Sequence, residues 1–174
     1  MNQVKTETHQ AFKLKALSKD GVDAALSKAD QYRLLNQPKL AESICLDVLE
    51  IDKSNHKAKV ILLLSLTDQF GQSFSSGSKH ANELAKSLQD EYSKLYYMAI
   101  IRERMGTAIL NSGNPGANFD AYEWYIEAME LFEKAEPLAP PYNNDTILRW
   151  NTCARMIMQY DLRERPFENF PPLE

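Results

Sequence analysis

Glycine is scarce in this chain, six residues in 174, and cysteine scarcer still, with two. Cys45 and Cys153 lie far apart and in no redox or zinc spacing, which excludes a disulfide scaffold and a thiol-based metal site. Both fall inside apolar helical patterns and are expected to be buried, reduced thiols behaving as small hydrophobes. Val and Ile are too few, and too helically spaced, for a sheet protein. The longest apolar run, Val60 to Leu64, is far short of a membrane span. Basic residues are not concentrated: 20 Lys and Arg are scattered among 24 Asp and Glu, a net charge of −4 that gives little purchase on a phosphate backbone. Nucleic acid and membrane are therefore not the expected partners. The first twenty residues contain no apolar core with a small-residue cleavage site, so a cytoplasmic location is the expectation.

What is present is a globular balance, 44% hydrophobic and 25% charged, in a length that suits one domain. The apolar residues recur at helical intervals throughout, so the fold class is all-α. A first helix is expected from about Gly21 to Leu35 with Asp20 as N-cap, and a second from Pro38 to Ile51 with Leu40, Ile44, Cys45, Val48 and Leu49 on one stripe. A third, about His56 to Phe70, is capped from the Asp52–Asn55 turn and apolar on every side at Ile61 to Leu64. Two Gly, Ser and Asn-rich stretches, 71–78 and 111–119, read as long loops. Between them lie helices from Lys79 to Gln89 and from Ser93 to Leu110, the latter carrying Leu95, Tyr96, Met98, Ala99, Ile101 and Met105. Asp120 and Glu123 have capping-box spacing for a sixth helix ending near Pro137. Asp145 is the expected cap of a seventh that runs to Tyr160 and buries Ile147, Trp150, Ala154 and Ile157. The expected organisation is an extension over 1–19, a helical domain over 20–160 and a proline-rich tail over 161–174.

Three even-numbered helices repeat one spacing. Ala41, Cys45, Val48 and then Lys53; Ala81, Ala85, Leu88 and then Ser93; Ala128, Phe132, Ala135 and then Pro140 are separated by 4, 3 and 5 residues. With Tyr32 in the first helix and the exit EIDKSN after the second, these residues resemble the tetratricopeptide repeat, whose second helix carries a small, aromatic, small, proline pattern. The physical reason is close approach: helices of a hairpin come within roughly 8 to 10 Å only where the crossing carries small side chains, with a ring filling the space beside it. The resemblance covers about residues 22 to 142. It implies a right-handed superhelical stack of antiparallel helix pairs, about three pairs plus a C-terminal capping helix. The copies are 40 and 47 residues apart, against roughly 34 in the standard repeat. The surplus is expected in the two long loops, projecting from one edge of the stack.

Residues that could carry chemistry are few. GQSFSSGSK, Gly71 to Lys79, misses the phosphate-loop spacing and follows no strand. His9, His56 and His80 have no partner at ligand spacing, and carboxylate pairs such as Glu127 with Glu130 or Asp47 with Glu50 sit on solvated helical faces. Asn144-Asp145-Thr146 fits a glycosylation sequon but reads as a helix cap. Arg149, Arg155, Arg163 and Arg165 make the most basic segment, balanced by Asp161, Glu164 and Glu168. No metal, cofactor or catalytic constellation is assigned.

The resemblance implies that the first helix of each pair lines a concave, peptide-binding groove. By register the groove residues are Leu26, Asp30 and Arg33 from the first pair and Lys57, Val60 and Leu64 from the second. Where chaperone-tail binders of the family clamp a carboxylate with lysine and asparagine, this chain has Leu26, Asp30 and Ile61, so that clamp is absent. The expected function is a non-catalytic interaction module or scaffold that takes a protein segment in the groove or along the long-loop edge. Self-association, with Phe167, Phe170 and Leu173 of the tail docking on a groove, is a second expectation. The rival reading is a small-molecule binder or enzyme with a pocket walled by Trp124, Tyr125 and Trp150.

Overall fold

A computed structural model describes residues 13–71 and 74–166, the side chains of 74–76 aside. Among the described residues there are seven α-helices and no strand: α1 (Val22–Leu34), α2 (Pro38–Ile51), α3 (His56–Thr67), α4 (Phe74–Lys86), α5 (Glu91–Ser112), α6 (Ala117–Ala135) and α7 (Asp145–Gln159). Each helix packs on its neighbours in sequence, and α1 also meets α3 while α3 also meets α5. The most extensive contact joins α5 to α6. No described helix is long and apolar enough to cross a membrane.

Local chemistry explains most boundaries. Pro38 opens α2, where its missing N–H costs nothing. The Asn55 side chain accepts the Ala58 N–H at 2.9 Å to cap α3, and Asp90 accepts the Ser93 N–H at 2.7 Å to cap α5. Other boundaries differ from the sequence reading. Asp20 caps nothing; it lies in a 3-10 turn, Lys19–Gly21, that feeds α1. Helix α3 stops at Thr67 rather than Phe70, and Asp68 begins a turn. Asp145 is the first residue of α7, its N–H taken by the Asn143 side chain at 2.8 Å.

The two long loops are the main correction. Helix α4 already begins at Phe74, and Gly77 sits within it against the Phe70 ring and the Leu66 carbonyl. That glycine forms no turn, and a methyl there would meet only ordinary contacts at 3.8 to 3.9 Å. Helices α5 and α6 absorb most of the second stretch, leaving residues 113–116 as the connection. Gly113 (φ 65°) and Gly116 (φ 82°) both hold left-handed backbone, so glycine allows the reversal in four residues. The cap position of α6 is Gly116, which bonds through no side chain, and the Asp120–Glu123 capping box does not form. The surplus of the third copy is thus spent on helix: α5 has 22 residues and α6 has 19, where α1 to α4 have 12 to 14.

Two cores result. The first joins α1 to α4 with Ile101 and Met105 of α5, and is built from Leu26, Ala29, Ala41, Cys45, Val48, Ile61 to Leu63, Ala81 and Ala85. The second joins α5, α6 and α7 around Ala99, Ile100, Tyr125, Ala128, Phe132 and Cys153. Leu64 and Tyr97 touch both and form the seam. All the small residues of the repeated spacing, Ala41, Ala81, Ala128 and Ala135, are fully buried, as are Cys45, Ala85 and Val48. Phe132 is buried beside them, its ring 5.9 Å from that of Tyr96, while Tyr32 is half-buried and Pro140 exposed. At the α5–α6 crossing, a Cβ on Gly106 would sit 3.3 Å from the Ala121 carbonyl and from the Tyr125 ring, which is why the helices approach so closely there.

Two expected stripes are rotated. Leu40 is exposed on α2, and Ile147 is 41% exposed on α7, where Thr146 and Cys153 take the buried positions. Beyond α7 the chain turns back: Leu162 enters the second core, and Arg165 pairs with Asp120 and lies over the Phe119 ring, 5.3 Å from its centroid. Phe167, Phe170 and Leu173, like the stretch 1–12 of the expected N-terminal extension, lie outside the described residues.

Candidate functional site

Ion pairs run from each odd-numbered helix to the next. Between α1 and α3, Arg33 Nε donates to Asp68 Oδ2 at 2.9 Å and Lys57 Nζ lies 3.8 Å from Asp30 Oδ2. Between α3 and α5, Arg104 Nη1 donates to the other oxygen of Asp68. Between α5 and α7, Arg149 Nη1 lies 3.0 Å from Glu103 Oε1. Four ion pairs therefore link the odd helices in series along one face.

The depth of these pairs differs. Lys57 and Asp30 are wet, and such a pair contributes about 0–1 kcal/mol. Asp68 is partly enclosed, with two guanidiniums on its two oxygens. Glu103 is the deepest, 7% exposed. Burial pushes its carboxyl above the usual range, and Arg149 offsets only part of that rise. Beside it, the Thr107 and Tyr125 hydroxyls lie 2.9 Å apart across the α5–α6 contact. The thiols of Cys45 and Cys153 are both free, and burial pushes each up to about 12, so neither supplies a thiolate.

Of the six groove residues named from sequence, Asp30, Arg33 and Lys57 are the ion-pair partners just described, and Val60 and Leu64 are half-buried residues of α3. Leu26 is not a groove residue: at 2% exposure it belongs to the first core. Leu26 and Ala29 form the buried face of α1, while Asp30 and Arg33, one and two turns further along, reach the α3 side. The aromatic pocket does not assemble. Tyr125 is enclosed in the second core, Trp124 packs on the first beneath Arg102, and Trp150 donates its indole N–H to Glu133 at 2.9 Å.

Sequence reading missed Asp68, Arg104 and Glu103. Asp68 sits where α3 was expected to continue, and nothing in its local sequence marks it out. Arg104 and Glu103 are adjacent in sequence yet pair in opposite directions, Arg104 with α3 and Glu103 with α7. Only the packing of three helices around α5 separates them. The sequence of α5 contains one usable signal, three consecutive charges, Arg102-Glu103-Arg104, in the middle of a largely apolar segment.

Three clefts open along the edge where the α1–α2, α3–α4 and α5–α6 turns lie. One, of 380 Å³, is lined by Arg33, Asn36, Asp68, Phe70, Arg104 and Asn111, among others. A second, of 360 Å³, lies between Phe70 and the start of α6, and a third, of 570 Å³, between the α5–α6 turn and residues 161 and 163. Neither Trp124, Tyr125 nor Trp150 lines any of them. No protein-family model, curated protein or solved structure matches the chain.

Proposed function

We propose that this chain is a non-catalytic interaction module, a tetratricopeptide-like right-handed stack of three helix pairs capped by α7, that takes a partner's peptide segment along the face of its odd helices. The observation that carries this reading is the complete burial of the 4, 3-spaced small residues in all three even helices. The contacts of α1 with α3 and α3 with α5 support it further, because layered hairpins bring successive first helices side by side. Two buried free thiols suit a reducing compartment, and we assign the module to the cytoplasm on that ground.

The face mixes paired charges with half-buried Val60, Leu64 and Tyr97, a surface on which a peptide gains from apolar anchors and from charges that exchange partners. A random peptide library displayed on phage should enrich a shared motif on the wild-type protein. Lys57→Glu combined with Val60→Asp, on a variant whose helical circular dichroism is unchanged, should abolish binding of the enriched peptides. Equal binding by the variant, or no enrichment at all, overturns the groove.

A further inference from the structure

The 380 Å³ edge cleft has a charge imbalance that folding leaves in place. Two guanidiniums, from Arg33 on α1 and Arg104 on α5, converge on the single carboxylate of Asp68. Arg33 donates to it through Nε and Arg104 through Nη1, so each planar fork keeps other N–H groups with no partner among the described residues. Other acids around these guanidiniums are occupied elsewhere: Asp30 pairs with Lys57, Glu42 accepts from Gln69 at 2.9 Å, and Glu103, whose charge Arg104 also feels, pairs with Arg149. Helices α1, α3 and α5 all end at this edge, and their carbonyl ends oppose an anion. Several of those carbonyls are already taken, by the N–H of Leu35 on Gln31, Gln37 on Tyr32, Asp68 on Leu64 and Phe70 on Thr67 and by the Ser112 hydroxyl on Ile109, so the formal charges dominate.

We propose that this cleft seats an oxyanion, a phosphate or carboxylate group, held in the fork between Arg33 and Arg104 with the rim amides of Asn36 and Asn111 as further donors. Asp68 has two jobs in this arrangement. It holds the two guanidiniums a carboxylate's width apart, the spacing at which they also receive a second oxyanion, and its own charge limits how tightly that oxyanion binds. The partner thus selected carries an acidic or phosphorylated side chain. That last identification rests on the interaction-module reading, whereas the seat itself does not.

The test is a titration of the full chain with inorganic phosphate at constant ionic strength, read by melting temperature and by calorimetry, followed by a phosphoserine peptide and its unmodified serine form. Phosphate should bind and raise the melting temperature, and Arg104→Gln should weaken it by about tenfold. Asp68→Asn should strengthen it by a similar factor, the opposite of what a structural lesion does. Exposed Arg155→Gln should change nothing. The phosphoserine peptide should compete with phosphate and the serine form should not. Phosphate that binds Arg104→Gln as well as the parent, or that binds Asp68→Asn more weakly, overturns the seat. If Arg104→Gln fails to fold, the sign of the Asp68→Asn effect decides. Failure of phosphate and phosphopeptide alike refutes the seat while leaving library peptides on the odd-helix face as a separate result. Binding of free phosphate without competition by the phosphopeptide refutes the peptide as its carrier.

Discussion

The α1–α4 half and the α5–α7 half meet the same packing requirement with different side chains. In the first, four short helices approach over alanine and cysteine, and leucines of α3 fill the space between. In the second, long helices approach over Gly106 and Ala128, and rings fill the space, Tyr125 and Phe132 inside and Tyr96 beside them. Aliphatic layers tolerate small adjustments because each contact is weak and replaceable. A ring wedged beside a small residue concentrates the burial into one side chain, so the second half depends on fewer positions.

Deleting the rings tests this most severely. Phe132→Ala should cost about 3–5 kcal/mol in urea unfolding, since it empties the space of a fully buried ring on α6. Cys45→Ala, at the matching place in α2, removes only a sulfur and should cost about 1 kcal/mol. Similar losses at the two sites would remove the contrast between the halves. The two in-helix glycines sharpen it further. Gly106→Val should cost about 1–3 kcal/mol, because its new carbons meet the Ala121 carbonyl and the Tyr125 ring. A methyl at Gly77 lies 3.8 Å from Phe70, an ordinary contact, so Gly77→Ala should stabilise by about 0.5–1 kcal/mol through helix propensity.

The smallest effect concerns pH. The folded protein holds the Glu103 proton more tightly than the unfolded chain does, because burial raises that carboxyl above its usual 4.5. Its contribution to stability is therefore full below that value and is lost as pH rises through the raised one, with a slope of at most ~1.4 kcal/mol per pH unit. Glu103→Gln should flatten this fall in chemical denaturation measured across the acidic range. The lowered carboxyls of Asp52 and Asp90 act the other way, losing their contribution as pH falls below the usual carboxylate value. For Asp90, burial alone would raise the carboxyl, and the Ser93 N–H and hydroxyl more than offset it. An unchanged slope in Glu103→Gln would mean that the α5–α7 pair titrates like a surface pair.

Where the helices lie was largely written in the chain, because the spacing of Ala41, Cys45 and Val48, or of Ala128, Phe132 and Ala135, is a local property of one helix and its buried side. The two glycine-containing stretches were misread for a physical reason. Gly77 and the run from Asn111 to Phe119 carry turn-forming composition, yet one lies inside a helix and the other needs only Gly113 and Gly116 for its reversal. Composition reports what a backbone can do, and contact decides what it does.

The candidate site was less legible. Arg33, Asp30 and Lys57 were named through register, whereas Leu26, named with them, is a core residue, because register fixes the side of α1 and not how deeply each turn of that side is covered. Asp68, Arg104 and Glu103 come together only through the placement of α3, α5 and α7. By itself the amino-acid order determined an all-helical chain and the small residues that each even helix buries at its crossing, since helical periodicity and side-chain size act over a few neighbouring positions. Tertiary structure alone decided which charges meet across helices and which edge is left with two guanidiniums on one carboxylate, because an ion pair is a property of distance in space and helix rotation sets that distance.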